Sequence, residues 1–346
     1  MKNNNVTNVI SRFVYKKTYE IYDEIKELFE EYKNIVVPEQ LRLGGHEHFR
    51  IKEIEKEILS LIDQDERVLL IQDESLLGRN IGMEAVLLGF EEIVLRALDN
   101  EKASTQQNGT GYNIGMYAAM YKHENAVLKA LDNEKASIQQ DGVGNNIGMY
   151  AAARKLEKAT LKALDNEKAS IQQNEEGMNI GMYAAQNKLE EATLKALDNQ
   201  EASIQQNDLK TNIGLYAAKN KMESCVLKAL DNHEASLQQD GWGDNIGILA
   251  AKNRMEKCIF KALDNEEASI QQDYRGMNIG MCAFEVGCYK CVLKANKNEI
   301  ARNQRDSYNH SLGEKAEVIM QSKRIEIEDI QSDQILEDLS SVLGEE

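Results

Sequence analysis

The chain has 346 residues, enough for two average domains with a sizeable core, and its 58 acidic against 41 basic residues give a formal charge of −17. A surface that negative repels phosphate backbones and anionic leaflets, which argues against nucleic acid and membrane surfaces as partners. No stretch nears the roughly 20 apolar residues that a bilayer span needs, and a single proline, Pro38, suits helices joined by short turns.

The start, "MKNNNVTNVISRFVYKK", lacks a continuous apolar region and a small-residue cleavage site, so no Sec signal is expected. Residues 1–66 do not repeat. Val9, Phe13, Ile21, Ile25, Leu28 and Phe29 fall at helical spacing and predict an amphipathic helix. After Pro38 and a turn at "LGGHEH", the stretch "IKEIEKEILSLI" lines up with the second helix of the repeats downstream, and predicts a capping half-repeat. His46 and His48 flank Glu47 in that turn. Two histidines are too few for a metal site, and a solvated turn is expected.

Residues 67–317 are built from one phrase. "NIGMYAA" stands at Asn113, Asn146 and Asn179, with variants at Asn80, Asn212, Asn245 and Asn278, always 33 residues apart. Ser311-Leu312-Gly313 is a diverged eighth copy. Each copy runs on through "LKALDN", "EAS" and "QQ", or close variants. A catalytic motif is needed once and a building block many times, so the period identifies a solenoid. In Asp141–Gln173, "DGVGN" is a turn cluster in which Gly142 and Gly144 can take positive φ. Asn146 is a good N-cap for a short helix from Ile147 to about Arg154. A second helix starts near Leu156, with Leu156, Ala159, Ala163 and Leu164 on one face, and Asn166 suits a left-handed C-cap. The unit reads turn–helix–turn–helix, with "ASIQQ" leading to the next turn.

One residue resists this reading. Glycine stands second in the first helix of every copy, at 82, 115, 148, 181, 214, 247, 280 and 313, where it costs roughly 1 kcal/mol against alanine. A neighbouring backbone or the tyrosine ring is the expected occupant of the space a side chain would need. The alternative, an anion site at the helix N-terminus, sits badly with eight copies on an acidic protein.

This order and length resemble the ankyrin repeat, a β-turn followed by "T-P-L-H-x-A-A" and a second helix. Asp141 and Gly144 match the family's turn residues, Asn146 stands for its capping threonine, and Ala151-Ala152 match its paired alanines. Ile147, Gly148 and Met149 replace the family's proline, leucine and histidine. Gly89 and Gly287 match its inter-helix glycine, but Lys155, Arg254 and others replace it. The resemblance covers roughly Gln72 to Glu317, and a different 33-residue helical solenoid is the other reading. The fold class expected is all-α with short β-turn or hairpin tips, an α-solenoid of about eight ankyrin-like repeats with helical caps at both ends.

In the C-terminal region, 318–346, Ile330, Ile335, Leu336, Leu339 and Leu343 recur at helical spacing on an acidic background. A terminal cap is one reading and an acidic partner-binding or export-recognition tail is the other.

Chemistry is sparse. "CYKC" at Cys288–Cys291 lacks the second ligand pair of a zinc site. Cys225, Cys258 and Cys291 fall where earlier repeats carry Ala126, Ala159 and Ala192, a small core slot. Five late cysteines are no disulfide framework and suit a reducing, cytoplasmic compartment. No nucleophile, base and orienter can be assembled, and no phosphate-binding fingerprint occurs. The expectation is a non-enzyme without cofactor or metal, with an activity confined to residues 1–66 as the remote exception.

The turn tips vary while the core slots do not. The resemblance implies that tips and inner-helix ends form a concave binding face. Its residues here are Tyr112, Tyr121, Val143, Arg154, Met178, Leu209, Trp242, Tyr274, Arg275, Met277 and Tyr308. Tyrosine, tryptophan and arginine are the types most often found as interface hot spots, and a stack of Arg275 on Trp242 is the non-binding alternative. The function expected is a protein-binding scaffold or adaptor, a monomer in isolation, with a basic partner favoured by charge. Low proline with high lysine and asparagine usage hints at an AT-rich microbial genome. An effector or inhibitory decoy aimed at a host or rival protein is therefore the alternative.

Overall fold

The computed structural model describes residues 3–36 and 45–324. Among them the fold is all-α, a serially packed helical solenoid without strands. The chain divides into two compact units between Glu175 and Glu176. The apolar positions of the C-terminal tail from Ile330 onward lie outside the described residues.

The first unit opens with α1 (Asn3–Val36) and α2 (Gly45–Gln64). Ile21, Ile25 and Phe29 of α1 and Ile54, Ile58 and Ile62 of α2 are buried at helical spacing, and α2 packs on the second helix of the first repeat, Glu91–Asp99. His46 and His48 belong to the first turn of α2 rather than to a loop, which corrects the turn expected there.

Each of the seven repeats that open on Asn80 to Asn278 contributes three helices, not two, and among the described residues the eighth copy is the single helix Leu312–Arg324. In the Asn146 repeat they are helix A (Ile147–Ala153), helix B (Glu157–Ala163) and a third, helix C (Glu167–Ile171), whose "EKASI" takes in half of the "ASIQQ" read as a lead to the next turn. Asn166 is the N-cap of helix C, with φ −89° and its side chain accepting from the amides of Lys168 and Ala169. It is not a left-handed C-cap. The left-handed residue of the repeat is Lys155, between helices A and B, at φ +64°. Lys122, Lys188, Lys221 and Arg254 share that conformation with Gly89 and Gly287, so the turn geometry persists where glycine does not. In the tip, Gly144 takes a positive φ and Gly142 does not.

Buried amide side chains join the helices. The Oδ1 of Asn146 accepts from the Met149 amide at 2.9 Å, and its Nδ2 donates to Ala169 O and to Gln172 Oε1 at the end of helix C. Gln172 Nε2 then donates to Ile138 O of the preceding repeat at 2.7 Å. The second glutamine of each pair works forwards: Gln140 Nε2 donates to Gly144 O in the next tip and to Gln173 O one repeat on. In the second unit Asn245 and Gln271 repeat the pattern. The exposed ion pairs between successive helices B, such as Lys162–Asp132 and Lys261–Asp231, add little by comparison.

The recurring glycine faces neither a backbone nor a tyrosine ring. A Cβ on Gly115 would lie 2.5 Å from Ile147 Cδ1 of the next repeat and 2.7 Å from Ala130 Cβ of helix B. The same pair of neighbours recurs at Gly82, Gly181, Gly214 and Gly247. In these repeats the isoleucine after the capping asparagine is a knob, and the glycine of the preceding repeat is its hole. Gly115→Ala should therefore cost about 1–3 kcal/mol through overpacking, read as a fall in the urea midpoint. Lys155→Gly should raise stability by up to about 1 kcal/mol by relieving a left-handed side chain. An unchanged midpoint in the first variant would refute the knob-and-hole account.

Candidate partner-binding face

Six of the tips begin with an Asp or Asn whose Oδ1 accepts two amides of its own turn, Asn108, Asp141 and Asn207 among them. Asp240 holds Trp242 N and Asp244 N in this way, Asp273 holds Arg275 N and Met277 N, and Asp306 holds Tyr308 N and His310 N. One backbone bond then ties each tip to the last: Asp208 N to Glu176 O, Gly241 N to Leu209 O, Tyr274 N to Trp242 O and Ser307 N to Arg275 O. The first unit does the same through Gly109, Gly142 and Glu175. Isolated bridges close the first tip at Asp73–Arg79 and the last at Arg305–Ser311.

In the second unit this frame presents a row of exposed apolar groups. Leu209 is 69% exposed, Trp242 66%, Tyr274 69% and Tyr308 78%. The Trp242 ring meets Tyr274 edge-on, 5.7 Å between centroids, and the Arg275 guanidinium lies 6.0 Å over Tyr274 rather than over Trp242. Arg275 is further held by Asp273 and Glu285, each at 3.5 Å. Met178 and Met277 do not join the row. They are 4% and 3% exposed, because the fifth residue of those tips turns inward under the next tip. This corrects their assignment to the binding face.

In the first unit Tyr121 and Val143 are exposed, and Arg154 is an exposed C-cap of helix A. Tyr112 is half-buried against Tyr117 and Tyr150. The Tyr150 hydroxyl donates to Asp141 Oδ2, and burial first, then Asp141, pushes its pKa up. Asn220 and Asn253, at helix A ends, donate to Ala185 O and Ala218 O of the preceding repeat, so these amides serve stacking.

No family model matches the chain, and no curated protein matches it. The repeat geometry therefore stands on the chain's own residues. Among the described residues no helix is long and apolar enough to cross a membrane, and no three His, Cys, Asp or Glu side chains are placed to hold a metal ion.

Sequence reasoning missed the lysines beneath the row. Lys252 Nζ bridges Asp244 Oδ1 at 2.5 Å and Asp273 Oδ2 at 3.0 Å, and Lys219 Nζ reaches Asp240 Oδ2 at 2.9 Å. Burial raises the Asp244 carboxyl pKa, Lys252 pulls it back, and Asp240 and Asp273 push it up again. The signal lay in two columns of the repeat, where Leu249 replaces tyrosine and lysine replaces Met120.

The cysteines are packing residues. Cys225, Cys258 and Cys291 fill the small slot of helix B and are buried, as is Cys282. Cys291 is joined to Cys288 across the first turn of its helix, a pairing the sequence reading did not anticipate. Burial pushes the thiols of Cys225 and Cys282 up to about 12 and that of Cys258 to about 11. At pH 8 these three should be silent to a thiol reagent in the folded protein and react within minutes in 8 M urea. Rapid labelling of the native chain would contradict the packing.

Proposed function

We propose that this protein is a non-catalytic, ankyrin-like scaffold that binds another protein along its tips and helix A ends. The ankyrin assignment is supported by the 33-residue period, the Asp-led turn tied to the preceding tip, the left-handed residue between helices A and B, and the buried alanine pair. The observation that carries the binding reading is the row Leu209–Trp242–Tyr274–Tyr308. Four large side chains are held out in solvent by turns braced through the Oδ1 of their opening residue and a bond to the preceding tip, which is residue chemistry typical of interface anchors.

The net charge favours a basic partner, with an on-rate that falls as salt rises. An adaptor and an effector or decoy would use the same row, and the identity of the partner separates them.

Affinity capture from lysates, comparing the wild type with Leu209→Ser, Trp242→Ala, Tyr274→Ala and Tyr308→Ser combined, tests the row. All four positions are exposed, so helicity should not change. A partner retained by the wild type should bind the variant at least about 30-fold more weakly, the loss of roughly one hot spot's 2 kcal/mol. Equal capture by both proteins would sink the row as the functional face.

A further inference from the structure

The second polar atom of the residue that opens each tip, a carboxylate oxygen or an amide nitrogen, also needs a partner, and the repeats supply it in different ways. In the first unit, the tenth residue of the repeat, tyrosine, answers: Tyr117 for Asn108 and Tyr150 for Asp141. Tyr216 answers Asn207 likewise in the second. The two tips that carry Trp242 and Tyr274–Arg275 have lost that tyrosine to Leu249 and Cys282. In both, a lysine at the thirteenth position of the preceding repeat reaches across instead. Lys219 meets Asp240 and Lys252 meets Asp273, at positions where Met120 stands before the Asp141 tip.

The remaining cases follow the same rule. Before the last tip the thirteenth residue is Glu285, which has the wrong sign, and there the cation moves to the tenth position as Lys315, 3.0 Å from Asp306. At the first tip Asp73 takes Lys26 from α1 at 2.6 Å and Tyr22 at 3.1 Å. At the tip that Asn174 opens, its Nδ2 donates to Asn145 Oδ1 of the preceding tip at 2.9 Å, so the partner's origin switches between the tip's own repeat and the preceding element.

We propose that Lys219 and Lys252 are positioning residues that lock the Trp242 and Tyr274–Arg275 tips to the repeats before them, so that the exposed row is held as one body. Both carboxylates are buried, whereas the lysine stems remain partly exposed. Removing the lysine leaves a buried charge with a lost counter-ion, which costs far more than breaking an exposed pair. Lys219 is itself braced from its own repeat by Thr211 Oγ1 at 3.3 Å and by the Tyr216 ring at 6.0 Å. Lys252 is braced by Asp244. The Lys219–Asp240 approach is close but off the line of a full hydrogen bond, so charge rather than alignment holds it. The consequence for binding rests on the docking reading above; the positioning does not.

The chain supplies its own control. Lys219→Met with Leu249→Tyr would rebuild, at the Asp240 tip, the Met120–Tyr150–Asp141 set of the first unit. Amide exchange at Trp242 and Gly241, with the emission of the only tryptophan, reads the tip in the free protein. Lys219→Met should speed exchange at these amides about tenfold and leave the Gly142 and Val143 amides unchanged. Adding Leu249→Tyr should restore slow exchange, and Lys219→Arg should preserve it. Unchanged exchange in Lys219→Met, or no recovery in the double variant, overturns the proposal. Loss of captured partner with unchanged tip exchange also overturns it, since Lys219 would then be a contact. A loosened tip that binds its partner as before supports the lock and counts against the docking row instead.

Discussion

A side-chain amide buried between helices is the constraint on which the rest of the structure depends. A capping asparagine at the start of helix A has one oxygen and two N–H groups to satisfy, with no water available. It spends the oxygen on the helix it begins and both donors on the helix that ends the same repeat. Glutamine closes the circuit by carrying a donor back to the previous repeat. An unmet amide at this depth costs roughly 1–3 kcal/mol, so helices A and C cannot shift independently. Aspartate would bring a charge and no donors, and serine, as at Ser311, cannot span the distance. Where Ser311 does occur, it makes a reciprocal cap with Glu314, and the chain continues as one longer helix instead of a new repeat.

Packing adds what hydrogen bonds cannot, the distance between repeats. The isoleucine knob enters a hole that only glycine leaves open, and alanine lines its other side. Dense interiors admit little error of this kind. Glycine therefore sits where helix propensity disfavours it, because the neighbouring repeat occupies the volume its side chain would fill. The polar and apolar ties act on the same helix start, one setting its direction and the other its depth.

Much of this was legible in the sequence, for a physical reason. A period of 33 converts one chain into its own alignment, so the solenoid, its capping asparagines and its core slots could be read from recurrence. The small slot of Cys225, Cys258 and Cys291 was legible because alanine stands there in other repeats. Helix C was missed because five residues are too few for a periodic signal, and its evidence is the Asn166 cap itself. Met178 and Met277 were misplaced because variability was taken for exposure, whereas in their tips, as in those of Thr211 and Asp244, the fifth residue packs inward. The glycine's neighbours lay 15 and 32 residues away, at separations that local reasoning does not examine.

The regularity of the ties has a consequence for how such a chain can change in length. Capping, glutamine and serine bonds recur at separations of 23, 26, 29, 33 and 34 residues. Excising one whole repeat from a uniform run re-presents each donor with an equivalent acceptor, whatever the point of the cut. Copy number can thus change within such a run without leaving a donor unanswered, at the cost of one repeat and one interface of stability. The exception is the run from Lys219 to Lys315, where partners change places from repeat to repeat. A crossover there would join a carboxylate to a neighbour that lacks its cation, so these repeats are not interchangeable.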